Sequence, residues 1–210
     1  MRIALIHALK HSIQPIEAAF AAQWPEARLA NLLDDSLSAD LARDGAITPA
    51  MTARFRSLAR YAADTGAQGI LFTCSAFGPC IEACARDLGP MPVLKPNEAM
   101  VEEAVARGGR IGLLASFPGT LATMPAEFPP GTRLVPCLAE GALAALDRGD
   151  GARHDRLVAQ AAAVALRDCD VIALAQFSLA RASAAVEAAT GRPVLTTPAS
   201  AVRRLKGLLL

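Results

Sequence analysis

Aromatic side chains make up only 4% of the 210 residues, and the apolar set is dominated by alanine. That scarcity disfavours an all-β fold and favours closely packed helices. Charge of one sign is missing too: 21 Lys and Arg face 20 Asp and Glu, for a net charge of +1. The basic residues gather on no one stretch, so neither nucleic acid nor a membrane surface is an expected partner. No apolar run approaches the ~18 residues of a membrane span. Met1-Arg2-Ile3-Ala4-Leu5-Ile6 lacks the polar cleavage region of a signal peptide and reads as a strand. The cysteines, at 74, 80, 84, 137 and 169, are odd in number and form no disulfide framework. A reducing, cytoplasmic setting is the expectation.

What is present suits a soluble globular fold, since 53% of the chain is apolar and 20% charged. The clearest pattern is an internal repeat. Arg2-Ile3-Ala4-Leu5-Ile6 matches Arg110-Ile111-Gly112-Leu113-Leu114. Gln68-Gly69-Ile70-Leu71-Phe72-Thr73-Cys74 matches Asp170-Val171-Ile172-Ala173-Leu174-Ala175-Gln176, and Pro92-Val93-Leu94 matches Pro193-Val194-Leu195. Three matches in one order, at nearly constant separations, indicate a duplicated βαβ architecture.

Between the strands, Phe55, Leu58, Ala59 and Ala62 recur at helical spacing, as do Leu157, Val158, Ala161 and Val164. The strands are continuous apolar runs, the mark of burial on both faces of a parallel sheet with right-handed crossovers. Pro15 and Pro79 suit first helical turns, Asn97 suits a cap, and Gly89 and Gly108-Gly109 break helices. The expected fold is α/β, with two pseudo-symmetric lobes, each a mostly parallel sheet flanked by helices. The lobes run over residues 1–106 and 107–199, and a helix over 200–210 crosses back to the first lobe.

Ligands of open parallel sheets bind at the carboxyl ends of strands. That rule selects four segments: His7 to Ser12, Cys74 to Gly78, Ser116 to Thr120, and Gln176 to Ser178. Cys74 ends a strand and is expected to begin a helix, where free N–H groups and the helix dipole lower a thiol's pKa. The same N–H groups suit a carboxylate or enolate oxygen, with Ser75 adding a hydroxyl. The alternative for Cys74 is a small buried hydrophobe. His7 at its strand end suits a base, a group orienting Cys74, or a carboxylate binder, with a capping histidine as the alternative. Ser12 equally suits a helix cap. His154 and Glu98 read as structural. The Cys80 and Cys84 pair lacks a histidine or a matching second pair, so no metal is expected. Asp34-Asp35 lacks a glycine-rich phosphate loop beside it and reads as solvated.

In these motifs the chain resembles the aspartate/glutamate/hydantoin racemase superfamily, which includes maleate isomerase and arylmalonate decarboxylase. Thr73-Cys74-Ser75, Gly112-Leu113-Leu114-Ala115-Ser116 with Gly119-Thr120, and Pro92-Val93 leading into Asn97-Glu98-Ala99 carry the likeness. It implies a cofactor-free active site in the cleft between the lobes, where two cysteines move a proton to and from a carbon beside a carboxyl or carbonyl. Here the second cysteine position falls on Gln176, which cannot exchange a proton at neutral pH. Cys169 and Cys137 lie off the expected strand ends. The candidate catalytic set is thus Cys74, Gln176 and His7. Ser75, Ala76, Ser116, Thr120, Phe177, Ser178 and Ser12 are candidates for substrate binding. The expected substrate is a small carboxylate or cyclic amide, and the likeness admits a homo-oligomer. The readings are a racemase or isomerase, a one-cysteine decarboxylase or lyase, and a small-molecule-binding protein without turnover.

Overall fold

The computed structural model describes all 210 residues, which divide into two compact units. Residues 1–96 with 201–210 form the first, and 97–200 the second. Each holds one four-stranded, wholly parallel sheet. In the first unit the strands are β1 (Arg2–His7), β2 (Arg28–Leu33), β3 (Gly69–Phe72) and β4 (Val93–Leu94), in spatial order β2-β1-β3-β4. In the second they are β5 (Arg110–Ala115), β6 (Arg133–Leu138), β7 (Val171–Leu174) and β8 (Val194–Thr196), in the equivalent order β6-β5-β7-β8. The repeat read in the sequence is therefore a repeat of topology. Registers agree as well: Leu5 faces Asn31 in the first sheet, and Leu113 faces Pro136 in the second.

The inner strands are buried on both faces, as their unbroken apolar runs imply. The edge strands β2 and β6 are half-exposed, because one side of an edge meets solvent. Alternation along β1 sorts its side chains to two layers. Ala4 and Ile6 pack with Phe55 and Ala59 of α3 (Pro49–Asp64) and with Cys80, Ile81 and Cys84 of α4 (Gly78–Leu88). Ile3, Leu5 and His7 point to the opposite layer, which holds α1 (Ile13–Gln23) and the end of α10 (Thr197–Leu209). α3 starts well because Pro49 sits at its first position and the Thr48 hydroxyl accepts from Met51 N–H at 3.2 Å. A short helix, α2 (Ser36–Asp44), is held by an ion-pair set in which Arg54 of α3 bridges Asp34 and Asp40. Asp34 also accepts from Ser36 Oγ at 2.6 Å and from Ser36 N–H at 3.3 Å, so it is a structural group rather than a solvated one.

The second unit repeats the layering. Leu114, Ile172 and Leu174 pack with α7 (Ala142–Asp147), α8 (Gly151–Ala165) and α9 (Ser183–Thr190). Ile111, Leu113, Ala115, Val171, Ala173 and Ala175 face the other way, toward α5 (Glu98–Arg107) and the segment that includes α6 (Pro118–Thr123). Met100, Val101 and Ala104 of α5 belong to this second core. The division thus falls ahead of α5, at 96/97, and not after it as the sequence suggests. In the same way the closing residues of α10 belong to the first unit, where Leu205 and Leu209 lie against Gly69. The helix that follows the fourth strand of each half packs on the other half's sheet. Between α5 and β5, Gly109 has φ +79°, and a Cβ there would collide with the Asp170 carboxylate, which accepts from Arg110 N–H at 2.6 Å. No helix is long and apolar enough to cross a membrane.

Leu205 is fully buried, and truncating it leaves a void over the sheet of the first unit. Leu205→Ala is expected to lower stability by about 2–5 kcal/mol. Urea unfolding followed by fluorescence of Trp24, the sole tryptophan and a buried residue of that unit, is the check.

Candidate active site

At the carboxyl end of the first sheet, β3 remains paired to β1 for one residue beyond its ladder, through Thr73 N–H on the Ile6 carbonyl at 3.0 Å. Cys74 follows in extended conformation, with φ −128° and ψ 116°. It is partly exposed, whereas the other four cysteines are buried. Its side chain packs on the α3–α4 layer. Aromatic rings pin the backbone on either side. Phe55 stacks on Phe72, with centroids 5.3 Å apart, and meets Phe77 at 4.8 Å. The turn carrying Cys74, Ser75 and Ala76 is therefore tied at both ends to one ring.

A helix does not begin at Cys74, contrary to the sequence expectation. A single 3₁₀ turn, Ser75–Phe77, intervenes, and α4 starts only at Gly78. The dipole and free N–H groups of α4 are thus displaced from the sulfur. Burial pushes the Cys74 thiol above its ordinary range, and the Ala76 N–H bonded to sulfur offsets that only in part. The expected depression of this pKa is replaced by a rise.

His7 also differs from expectation. It is fully buried at the end of β1, on the α1 side of the sheet, and Thr73 rather than Cys74 is its neighbour. Its Nδ1 lies 2.8 Å from Thr73 Oγ1 and 3.1 Å from Ser12 Oγ. Its Nε2 lies 2.9 Å from Asn31 Oδ1. Burial pushes the imidazole pKa down, opposed by the Asn31 hydrogen bond and the Glu17 charge. Both nitrogens are engaged, so His7 is not placed to act as a base on a substrate. Ser12 is likewise turned inward: its hydroxyl donates to the Leu9 carbonyl at 2.7 Å and lies 2.8 Å from Thr73 Oγ1.

In the second unit Gln176 stands at the position equivalent to Cys74, after Ala175 N–H donates to the Leu114 carbonyl at 2.9 Å. Its Oε1 accepts from Ser116 N–H at 2.7 Å and from Ser116 Oγ at 3.0 Å. The Ser116 hydroxyl is therefore engaged by Gln176 and is not a free oxyanion donor. The Gln176 Nε2 makes no hydrogen bond within the chain and retains its donors. Ser75 is exposed, and Thr120 and Ser178 are partly exposed with hydroxyls that bond no neighbour. Phe177 is buried beneath the turn that Gln176 opens. Beside Ser116, Phe117 leaves half its surface exposed, a feature the sequence did not single out.

His154 lies inside α8 and is buried. Its Nδ1 is 2.8 Å from Asp155 Oδ1, which also accepts from Arg181 Nε at 2.8 Å. No group of three or more His, Cys, Asp or Glu side chains could hold a metal ion. Asn31 and Thr73 were missed in the sequence. The only signal for Asn31 was one amide within the apolar run Leu29-Ala30-Asn31-Leu32-Leu33.

A sequence model of the family described as Asp/Glu/Hydantoin racemase matches residues 13–205. Among solved structures, allantoin racemase from Klebsiella pneumoniae is similar at 20% identity and a TM-score of 0.75, covering 100% of this chain and 87% of its own. Aspartate racemase of Picrophilus torridus is similar at 12% identity and 0.73, covering 99% of this chain and 94% of its own. A mutant of arylmalonate decarboxylase is similar at 21% identity and 0.67, covering 99% and 93%. A search of curated protein sequences finds no match.

Because Cys74 alone is partly exposed, iodoacetamide should modify one site. The rate should be lower than that of free cysteine at neutral pH and should rise with a midpoint above the free thiol's. Mass spectrometry of the alkylated peptide across pH provides the check. A midpoint below that of free cysteine contradicts this account of burial.

Proposed function

The chain belongs to the Asp/Glu/Hydantoin racemase family, and from that premise we propose that it is a cofactor-independent enzyme moving a proton at a carbon beside a carboxyl or carbonyl. The observation that carries this reading is Cys74: a partly exposed thiol at a carboxyl strand end, on a turn fixed by stacked aromatic rings. Cys74 serves as the acid/base. Desolvation leaves less thiolate at neutral pH but makes each thiolate a stronger base, which suits a weakly acidic C–H. As the α-proton leaves, charge moves onto the carbonyl oxygen. The Ser75 hydroxyl, on the same turn as Cys74, is the donor we assign to a substrate oxygen. The substrate is a small carboxylate or cyclic amide, in keeping with the family description.

A second reading is favoured by Gln176. A carboxamide orients and donates hydrogen bonds but does not exchange protons. With one thiol, proton removal and return occur on one face, giving exchange without inversion. A lyase reaction needs only that one face. The bond to a departing carboxyl breaks, CO2 leaves, and its electron pair stays on the α-carbon as an enediolate. Cys74 then donates its proton there and is reprotonated from water. A thiol held protonated by burial suits that step.

Proton NMR in D2O with enantiopure aspartate, glutamate, 5-substituted hydantoins and arylmalonates, with chirality followed in parallel, tests both readings. Cys74→Ala is expected to lower turnover at least about 100-fold. Full activity in that variant overturns the assignment of Cys74. Gln176→Cys installs the second thiol and is expected to raise inversion relative to exchange. Inversion in the unaltered protein indicates racemisation with water as the second proton source, and CO2 release with one enantiomeric product indicates the lyase.

A further inference from the structure

The buried imidazole of His7 is the least expected feature of the first sheet. An imidazole withdrawn from water must satisfy both nitrogens or pay a desolvation penalty. Here the partners form a directed chain. Asn31 Nδ2 donates to Glu17 Oε1 at 2.7 Å, which turns Oδ1 toward His7. Oδ1 then accepts from His7 Nε2–H at 2.9 Å, so the lone pair lies on Nδ1 and accepts from the Thr73 hydroxyl at 2.8 Å. The one charged member, Glu17, lies at the exposed end.

The duplicated fold shows what this chain is not needed for. At the matching register positions the second unit has Ala115 for His7, Pro136 for Asn31 and Ala175 for Thr73. Ala115 and Ala175 are buried in an apolar core, and the strand pairing is the same. A sheet of this topology therefore forms without any polar group there. The polar chain lies beneath the strand end that carries the thiol and is absent beneath the one that carries the carboxamide.

Thr73 joins the chain to the thiol. Its N–H is held by Ile6, and its hydroxyl is held by His7 on the α1 side, with Ser12 Oγ 2.8 Å away. Cys74, next in sequence, projects to the α3–α4 side. Fixing Thr73 by both backbone and side chain fixes the peptide from which the Cys74 side chain departs. We propose that His7, oriented by Asn31, is a positioning residue for Cys74 and acts through Thr73. This rests on the reading of Cys74 as acid/base, and of the roles expected for His7 it selects the one that orients the thiol.

Thr73→Val keeps the shape and strand preference of the residue while deleting the hydroxyl, and Thr73→Ser restores the hydroxyl. Asn31→Leu, on an exposed edge strand, removes the acceptor of His7. Thr73→Val and Asn31→Leu are each expected to lower kcat roughly 10- to 100-fold, the scale for a misaimed reacting group, with KM nearly unchanged. Both are expected to speed alkylation of Cys74 at neutral pH, because a loosened strand end lets the sulfur reach solvent. Thr73→Ser should recover both properties, and the double variant should lose no more than the worse single one, as for residues in one chain. A purely structural role lowers the thermal midpoint but leaves kcat and alkylation, read far below it, as in the wild type. That result in Thr73→Val, or failure of Thr73→Ser to recover, overturns the proposal. If Cys74→Ala stays fully active, the functional reading falls, while the alkylation rates still decide whether the chain positions the thiol.

Discussion

At the carboxyl end of each sheet, the third strand stays paired with the first for one residue beyond its regular ladder. Thr73 N–H donates to Ile6 in one unit and Ala175 N–H to Leu114 in the other. This keeps the backbone extended up to the next residue, and an extended backbone sends successive side chains to opposite faces. The position of Cys74 and of Gln176 follows from that constraint. So does the separation of Cys74 from His7, which ends the neighbouring strand β1 on the opposite face of the sheet. Direct contact between that thiol and that imidazole is excluded by the pleat, and coupling between them has to pass through Thr73.

The two units meet the same constraint with different chemistry. In the first, the strand end is supported by a chain of polar side chains on one face and by stacked phenylalanines on the other. In the second, both faces beneath Gln176 are apolar, and the polar contact is made by Ser116, which holds the carboxamide oxygen. Duplication supplied two equivalent frames, and only one of them holds a group that can exchange a proton.

Two effects compete at the thiol. A helix N-terminus stabilises a thiolate, and burial destabilises it. Burial is the larger effect at Cys74, and the Ala76 N–H opposes it only in part, while a 3₁₀ turn separates the residue from the start of α4.

Much of this was legible in the sequence because it depends on local period. Unbroken apolar runs marked the inner strands, their repetition marked the duplication, and the repeat placed Gln176 opposite Cys74 in the alignment of the halves. The tertiary structure alone decided which sheet each closing helix covers. An apolar helix face such as Met100, Val101 and Ala104 fits any apolar layer, so its pattern does not say which sheet it covers. It also decided which candidate groups remain free. The hydroxyls of Ser12 and Ser116 and both nitrogens of His7 are engaged by residues as far as 66 positions away. A sequence shows that a polar group sits at a strand end. Which partner satisfies it once water is removed depends on elements that meet only in the fold.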